Sequence, residues 1–148
     1  MVKMRMRACI VCAMVLLSAL CGCATSEIGM KNGYYTAEMA DYSNGWKEFV
    51  TVHIKDDTIL SVEYNAKTQS GFLASWDMAY MRKMNVAQGT YPNHYTRAYS
   101  RQVIAKKSGE SIDTVAGATL SGEKFRLLIA AALDMSRQGK NDVVIVQR

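Results

Sequence analysis

The sequence has no cysteine after residue 23, and all four of its cysteines lie at or before that position. The main part of the chain therefore has no internal disulfide, no thiolate zinc site and no cysteine nucleophile. Cys9 and Cys12 have the CxxC spacing of redox and metal sites, but both lie in an apolar run that we expect to be removed from the mature protein. Only the sulfur of Cys23 is left for chemistry.

Histidine and proline are also scarce. His53 and His94 are the only imidazoles, and no metal-ligand motif surrounds either of them, so we expect no metal site. One proline, ten glycines and 49% hydrophobic residues are typical of a globular protein and exclude a disordered chain. The 148 residues suffice for one domain with a core of its own.

The first two dozen residues have the pattern of a bacterial export signal. Basic residues at positions 3, 5 and 7 precede an apolar stretch at 8–20, which is too short to span a bilayer. The stretch ends in Leu-Cys-Gly-Cys at 20–23. This tetrapeptide resembles a lipobox, in which the final cysteine is lipidated and becomes the new N-terminus.

Cleavage is predicted before Cys23, because cleavage before Cys21 would leave a leucine where a small residue is preferred. The chain then divides into a signal peptide at 1–22, a polar tether at 23–31 and a domain at 32–148. We therefore expect a protein that is lipid-anchored to a membrane of the bacterial cell envelope and faces the periplasm or the exterior.

Removal of the signal peptide changes the charge balance. The whole chain has 18 basic and 13 acidic residues, a net charge of +5. The signal peptide contains three of the basic residues and no acidic one, which leaves 15 against 13, or +2. A nucleic-acid partner loses its main support, and none is expected.

Aromatic and β-branched residues predict a first strand at 33–39. Alternating apolar and polar residues predict strands at 49–55 and 58–64, with a turn at Asp56-Asp57 between them. A further strand is predicted at 143–146. Since the first three strands follow one another with short connections, an antiparallel sheet is the economical interpretation.

Helical spacing predicts three helices. The first contains Trp76, Tyr80, Met81 and Met84, and the second runs from Pro92 to about residue 107. The third has an apolar stripe formed by residues 125, 128, 129, 132 and 133, and Gly139 ends it. The fold class is therefore α+β, a single domain in which an antiparallel sheet packs with about three helices.

The main functional motif is DTVAGAT at residues 113–119, directly before the third helix. It resembles the flavinylation motif of the FMN-binding domain family, an aspartate, two variable residues, serine or threonine, and then Gly-Ala-Thr. That family includes peripheral flavin subunits of ion-pumping oxidoreductases and flavin-carrying lipoproteins. The strands, the helix at 76–80, the helix around Tyr95 and Phe125 after the motif extend the resemblance over nearly all of the mature chain.

The resemblance implies a role for each motif residue. Thr119 is the acceptor of covalent FMN through a phosphoester, Asp113 is the motif aspartate, and Gly117 and Ala118 are the small pair. Ala116 departs from the pattern, since serine or threonine is usual there, and one hydroxyl is lost. The acceptor is unaffected by this departure.

Physical chemistry supports an anion at this position. The start of a helix offers unpaired N–H groups and the positive end of the helix dipole. Gly117 and Ala118 keep bulk away from the backbone, while Leu120, Ser121 and Gly122 offer backbone donors. Ser121 is also predicted to cap the helix.

Residues around the flavin ring are left open at this level. The side chains that could form an aromatic or apolar wall, and equally plain core, are Trp76, Tyr80, Tyr91, Tyr95, Tyr99, Met78, Met81 and Met84. A different class of function is indicated by Ser121-Gly122-Glu123-Lys124, the Ser-x-x-Lys of penicillin-binding proteins. That hypothesis fails because the chain lacks Lys-Thr-Gly and Ser-Asp-Asn motifs and is too short for that fold.

The sequence thus predicts a membrane-anchored carrier of covalent FMN that transfers electrons between membrane or periplasmic partners. It would be the substrate of a bacterial flavin transferase rather than an enzyme. The alternative is a non-redox module that binds or stores flavin non-covalently.

Overall fold

A computed structural model describes residues 29–148; the predicted signal peptide, Cys23 and most of the tether lie outside these residues. Four strands form one sheet: β1 Gly33–Met39, β2 Lys47–Lys55, β3 Thr58–Lys67 and β4 Val144–Val146. Three helices accompany them: α1 Met78–Gln88, α2 Pro92–Lys106 and α3 Thr119–Gln138. The predicted single α+β domain with three helices is confirmed.

The sheet has the order β3-β2-β1-β4 and is mixed, so the prediction of a purely antiparallel sheet is wrong. β1, β2 and β3 are antiparallel neighbours, as predicted from their short connections. β4 runs parallel to β1, with Ala37 opposite Val144. The reason is its position after α3, because a strand that returns through a helix need not follow the hairpin rule.

Two β-turns have the conformation that a two-residue hairpin loop requires. Asp56 and Asp57 both have positive φ, 50° and 56°, and join β2 to β3, as the sequence predicted. Asn44 and Gly45, with φ of 52° and 83°, make a similar turn before β2, and the backbones of Ser43 and Trp46 pair across it. Positive φ at both central positions matches the twist of the flanking strands.

The helices begin and end near their predicted bounds. Asp77 caps α1, because its side chain accepts a hydrogen bond from the Tyr80 N–H at 2.9 Å. Trp76 therefore lies before α1, in a short 3₁₀ turn at Ala74–Trp76. Pro92 opens α2, and Gly139, with φ of 70°, ends α3 as predicted. No helix within residues 29–148 is long and apolar enough to cross a membrane.

Within residues 29–148, one face of the sheet is covered by helices and the other is not. The core lies between the covered face and helices α2 and α3. Val50, Val52 and Ile54 of β2 are completely buried beneath this layer. The predicted stripe of α3 is buried there too, including Phe125 and Leu128. Burial of each such side chain contributes about 1.5–3 kcal/mol. This core fixes the direction of α3, whose first turn carries the motif threonine.

Candidate functional site

The loop before α3, residues 112–118, is called the motif loop here, and its sharpest bend is at Gly117. The backbone of Gly117 has φ of +75°, a conformation that favours glycine. A Cβ atom at this position would lie 2.1 Å from the backbone oxygen of Gln88, at the end of α1. Both conformation and space therefore require glycine here.

Tyr99 of α2 holds the motif loop from below. Its hydroxyl donates to the backbone oxygen of Ala118 at 3.0 Å and accepts from the backbone N–H of Val115 at 3.0 Å. Tyr99 is completely buried, and a Cβ atom on Gly122 would lie 2.3 Å from its hydroxyl. Gly122 thus makes room for the tyrosine that shapes the loop.

Asp113 has a backbone held by hydrogen bonds and an exposed carboxylate. Gln102 binds the backbone of Asp113 twice, donating to its oxygen at 3.1 Å and accepting from its N–H at 2.7 Å. The Asp113 side chain is 83% exposed, and its only ion pair within residues 29–148 is with Lys106 at 3.3 Å. An exposed pair of this kind contributes little to stability, so the carboxylate is available to another molecule.

Thr119 is the first residue of α3 and is exposed. The first helical hydrogen bond runs from the Gly122 N–H to the Ala118 oxygen at 2.9 Å. Within the described part of the chain, the N–H groups of Thr119, Leu120 and Ser121 have no hydrogen-bond partner. The Thr119 hydroxyl therefore lies beside three unused donors at the positive end of a helix of 20 residues.

The prediction that Ser121 caps α3 is wrong. Ala118 occupies the cap position, no side chain caps this end among residues 29–148, and Ser121 is the third residue of the helix. The helix starts early because the left-handed conformation of Gly117 turns the chain into helical geometry directly after Ala118.

A cleft of about 410 Å³ opens at this end of α3. Five predicted site residues line it: Gly117, Ala118, Thr119, Leu120 and Ser121. Asp113 does not line it and lies on the outer surface instead. The structure thus brings the acceptor and its neighbours to one cavity and separates the motif aspartate from it.

The cleft has an aromatic and apolar wall. Of the candidates from the sequence, Tyr80, Tyr95 and Met84 line the cleft. Trp46 was missed by the sequence analysis, and its ring centroid lies 5.4 Å from that of Tyr80. The remaining candidates lie outside the lining. Tyr99 is in the core, Met78 and Met81 are on α1, Trp76 is in the 3₁₀ turn, and Tyr91 is the residue before α2.

The floor of the cleft contains a buried ion pair. Lys124 Nζ lies 2.9 Å from Glu48 Oε1, and the two side chains are 12% and 10% exposed. Tyr64 shares its hydroxyl proton between the Glu48 carboxylate and the backbone oxygen of Ser121, which is 2.8 Å away. The signal in the sequence was Glu48 itself, a charged residue in register with the buried residues of β2.

The phenols near this pair are held in their neutral form. Burial, reinforced by the Glu48 charge, raises the pKa of Tyr64 and of Tyr95 well above the ordinary value. The same two causes raise the pKa of Tyr80. These hydroxyls therefore remain hydrogen-bond donors at any physiological pH.

The Ser-x-x-Lys interpretation receives no support from the geometry. Lys124 is engaged by Glu48, and no hydrogen bond joins it to the Ser121 hydroxyl in the part of the chain described. Residues 29–148 also contain no group of three or more His, Cys, Asp or Glu side chains that could hold a metal ion.

The chain is similar to known proteins in sequence. The profile of the FMN-binding domain matches residues 45–134. A 15 kDa lipoprotein of Treponema pallidum (strain Nichols) is 34% identical over 135 residues, which is 90% of this chain and 92% of that protein.

Two solved structures are also similar. The CPE2226 protein of Clostridium perfringens has a TM-score of 0.76 and 28% identity, covering 80% of this chain and 98% of that one. A Clostridium thermocellum protein solved by NMR has a TM-score of 0.52 and 28% identity, covering 71% of this chain and 91% of that one.

Proposed function

Because the chain belongs to the FMN-binding domain family, we propose that it carries FMN as a phosphoester on Thr119 and works as an electron carrier of the bacterial cell envelope. The observation that carries the proposal is the position of Thr119. Its exposed hydroxyl lies at the first residue of α3, on the lining of the cleft and beside unused backbone donors.

The phosphate fits the start of α3. A phosphoester on the Thr119 oxygen remains anionic and would accept hydrogen bonds from the free N–H groups of Leu120 and Ser121. The helix dipole favours the same charge. Gly117, with its positive φ, makes the bend that brings Thr119 to the lining of the cleft.

The isoalloxazine ring fits the cleft. A volume of about 410 Å³ lies within the usual range for small-molecule sites, about 300–1,000 Å³. Trp46, Tyr80 and Met84 supply an apolar wall, and Tyr95 adds a hydroxyl that stays protonated. The charged floor places Lys124 at the cleft, where a cation influences the reduction potential of a bound flavin.

Attachment requires a flavin transferase and an activated flavin donor. The Thr119 oxygen forms a bond to the FMN phosphorus and loses its proton, while the bond from that phosphorus to a nucleotide leaving group breaks. A flavin dinucleotide is a donor of this class. We infer that the transferase recognises Asp113 by contact with its carboxylate, which is exposed on a loop that Gln102 holds in place.

FMN held on Thr119 at the cleft would supply the redox chemistry, taking electrons from one partner and passing the same number to another. A covalent link suits an envelope protein, because a freely dissociating flavin would be lost outside the cytoplasm. The covalent bond to Thr119 would keep the flavin at the cleft permanently, so its occupancy would not depend on a dissociation constant. The protein is then a carrier with membrane or periplasmic redox partners.

The lipid anchor is proposed from the lipobox-like sequence that ends at Cys23 and from the similarity to a protein named as a lipoprotein. Lipidated Cys23 would hold the domain to a membrane of the cell envelope, facing the periplasm or the exterior. Mass spectrometry of the mature N-terminus tests this part of the proposal, and an intact Met1 would contradict it.

The acceptor is tested by Thr119→Val, with Ser121→Ala as the matched control on the same helical turn. Each variant is co-expressed with a flavin transferase, and flavin fluorescence is measured in a denaturing gel. Thr119→Val is expected to lose all covalent flavin while keeping its fold, because the valine has the same shape without the hydroxyl. Ser121→Ala is expected to keep it. Flavin on Ser121 in the valine variant would contradict the assignment.

The second candidate is a non-redox module that binds or stores flavin without a covalent bond. The cleft lining alone favours it, since an aromatic pocket can hold a ring non-covalently. The same gel separates the two candidates, because non-covalent flavin leaves the protein on denaturation.

A further inference from the structure

We propose that the lipid anchor holds the domain with the cleft pointing away from the bilayer, so that the redox partner is a protein whose electron-carrying group stands in the aqueous phase. The inference rests on the proposed function for the cofactor and the anchor. It adds the orientation of the domain and the class of partner, and it disfavours a quinone dissolved in the lipid as the direct partner.

The chain enters the domain at one end of the molecule, which we call the tether end. The Met30 N–H donates to Asp57 Oδ1 at 2.6 Å, and the Asp56 N–H donates to Asn32 Oδ1 at 2.7 Å. The Lys31 N–H donates to the Ser136 oxygen at 2.9 Å. These bonds fasten residues 30–32 to the β2–β3 turn and to the last turn of α3.

The cleft lies at the opposite end of the same elements. Thr119 begins α3, whereas Lys31 is bound at its end, and the helix has 20 residues. At about 1.5 Å per residue, the two ends are about 30 Å apart. β2 gives the same direction, because Glu48 near its start lies at the cleft and Lys55 at its end precedes the tether-end turn.

The covalent length of the tether limits how far the domain can turn. Met30 is seven residues after Cys23, so the chain between them reaches at most about 25 Å in any conformation. Pressing the cleft against the bilayer would lift the tether end, which is bound at Ser136, to about 25 Å above it, the rise of α3 from Thr119 to Ser136. Only a fully extended tether reaches that far, and holding it extended costs conformational entropy, so the tether favours the opposite orientation.

The orientation decides which partners reach the flavin. A lipid-dissolved carrier stays on the tether side, with the length of α3 between it and the cleft. A protein that projects into the aqueous phase would reach the cleft directly. For every two electrons that FMN gained, the redox group of that protein would lose two. Leu120 is 62% exposed at the mouth of the cleft, next to the Arg148–Glu123 ion pair at 2.7 Å. An exposed apolar side chain with an ion pair nearby suits contact with a protein surface.

The test uses the full lipidated protein in phospholipid vesicles and needs no flavin. Leu120→Cys reports on the cleft and Lys55→Cys on the tether end, and both sites are exposed. The introduced thiol is the only free one, because the mature chain has no cysteine after Cys23. The same fluorophore is attached to each, and quenching by spin-labelled lipid is measured against quenching by aqueous iodide.

The expected result is a larger loss of fluorescence to the lipid quencher at Lys55, and to iodide at Leu120. Equal quenching of both labels by the lipid quencher, or stronger quenching at Leu120, would overturn the proposal. Protein that fails to stay on the vesicles would show instead that the anchor is absent, and missing flavin would leave this readout unchanged.

A longer tether provides the matched control. An insertion of about 20 Gly and Ser residues after Ser26 adds a flexible segment with a mean span of about 25 Å and a much longer full reach. The lipid quencher is then expected to reach the Leu120 label more than before. No change on insertion would overturn the role assigned to tether length.

Discussion

The two ends of α3 differ in how their backbone groups are used. At the C-terminal end, Gly139 and Lys140 donate to the carbonyls of Ser136 and Met135, and Lys31 donates to Ser136 as well. At the N-terminal end, the first three N–H groups have no partner within residues 29–148. The fold completes one end with its own atoms and leaves donors at the other, which is where a phosphate would be bound.

The largest expected effect comes from breaking the ion pair beneath the N-terminal end. Lys124→Met leaves the Glu48 carboxylate buried without its partner, so we expect a loss of about 3 kcal/mol in the free energy of unfolding. Urea denaturation of the empty domain measures it. The double variant Glu48→Gln, Lys124→Met removes both charges and is expected to recover part of the loss. A single variant as stable as wild type would show that the pair is dispensable.

The next prediction compares two glycines that flank α3 with nearly equal φ, Gly117 at 75° and Gly139 at 70°. Gly139→Ala is expected to cost about 1 kcal/mol for the left-handed conformation, since its Cβ meets only the flexible Lys31 side chain. Gly117→Ala is expected to cost about 3 kcal/mol, because strain adds to a clash with the Gln88 backbone. Thermal or urea unfolding decides, and equal losses would contradict the clash.

An alkaline titration tests the neutral phenols beside the cleft. The raised pKa of Tyr95 means that its stabilising contribution is complete below about pH 10, the unfolded value, and is lost as the pH rises towards the folded value. Between pH 9 and 11, wild type is therefore expected to lose about 1 kcal/mol more than Tyr95→Phe. Urea unfolding at both pH values measures the difference, and parallel losses would contradict the burial of this hydroxyl.

The smallest effect is expected at Ser121. Since it does not cap α3, Ser121→Ala should change stability by less than about 0.5 kcal/mol. Asp77→Ala is the matched control, because Asp77 does cap α1, and its loss should cost about 1 kcal/mol. If Ser121→Ala costs as much as Asp77→Ala in the same melting experiment, Ser121 has a structural role that its hydrogen bonds do not explain.

The sequence predicted what depends on neighbouring residues. Aromatic and β-branched residues identified β1, alternation identified β2 and β3, the apolar stripe identified α3, and Gly139 marked its end. The motif at 113–119 identified the family and the loop. All of these are local patterns, and the structure confirms the strands, helices and turns that they indicated.

The remainder depends on contacts between distant parts of the chain. β4 pairs with β1 across most of the sequence, so its parallel direction was not readable from periodicity. Lys124 meets Glu48 from 76 residues away, and Tyr99 reaches the motif loop from another helix. The error at Ser121 has a similar origin, because the start of α3 is set by the conformation of Gly117 rather than by a capping side chain.

The hydrogen bonds from Tyr99 to the motif loop have a consequence for the order of folding and flavin attachment. The loop has its shape only when a core tyrosine lies beneath it and Gly117 rests against α1. An unfolded chain contains the seven motif residues at 113–119 but not the surface that they form in the folded domain. Under the proposed function, export and folding therefore precede loading, and the yellow colour of the cofactor marks molecules that have already reached their native state.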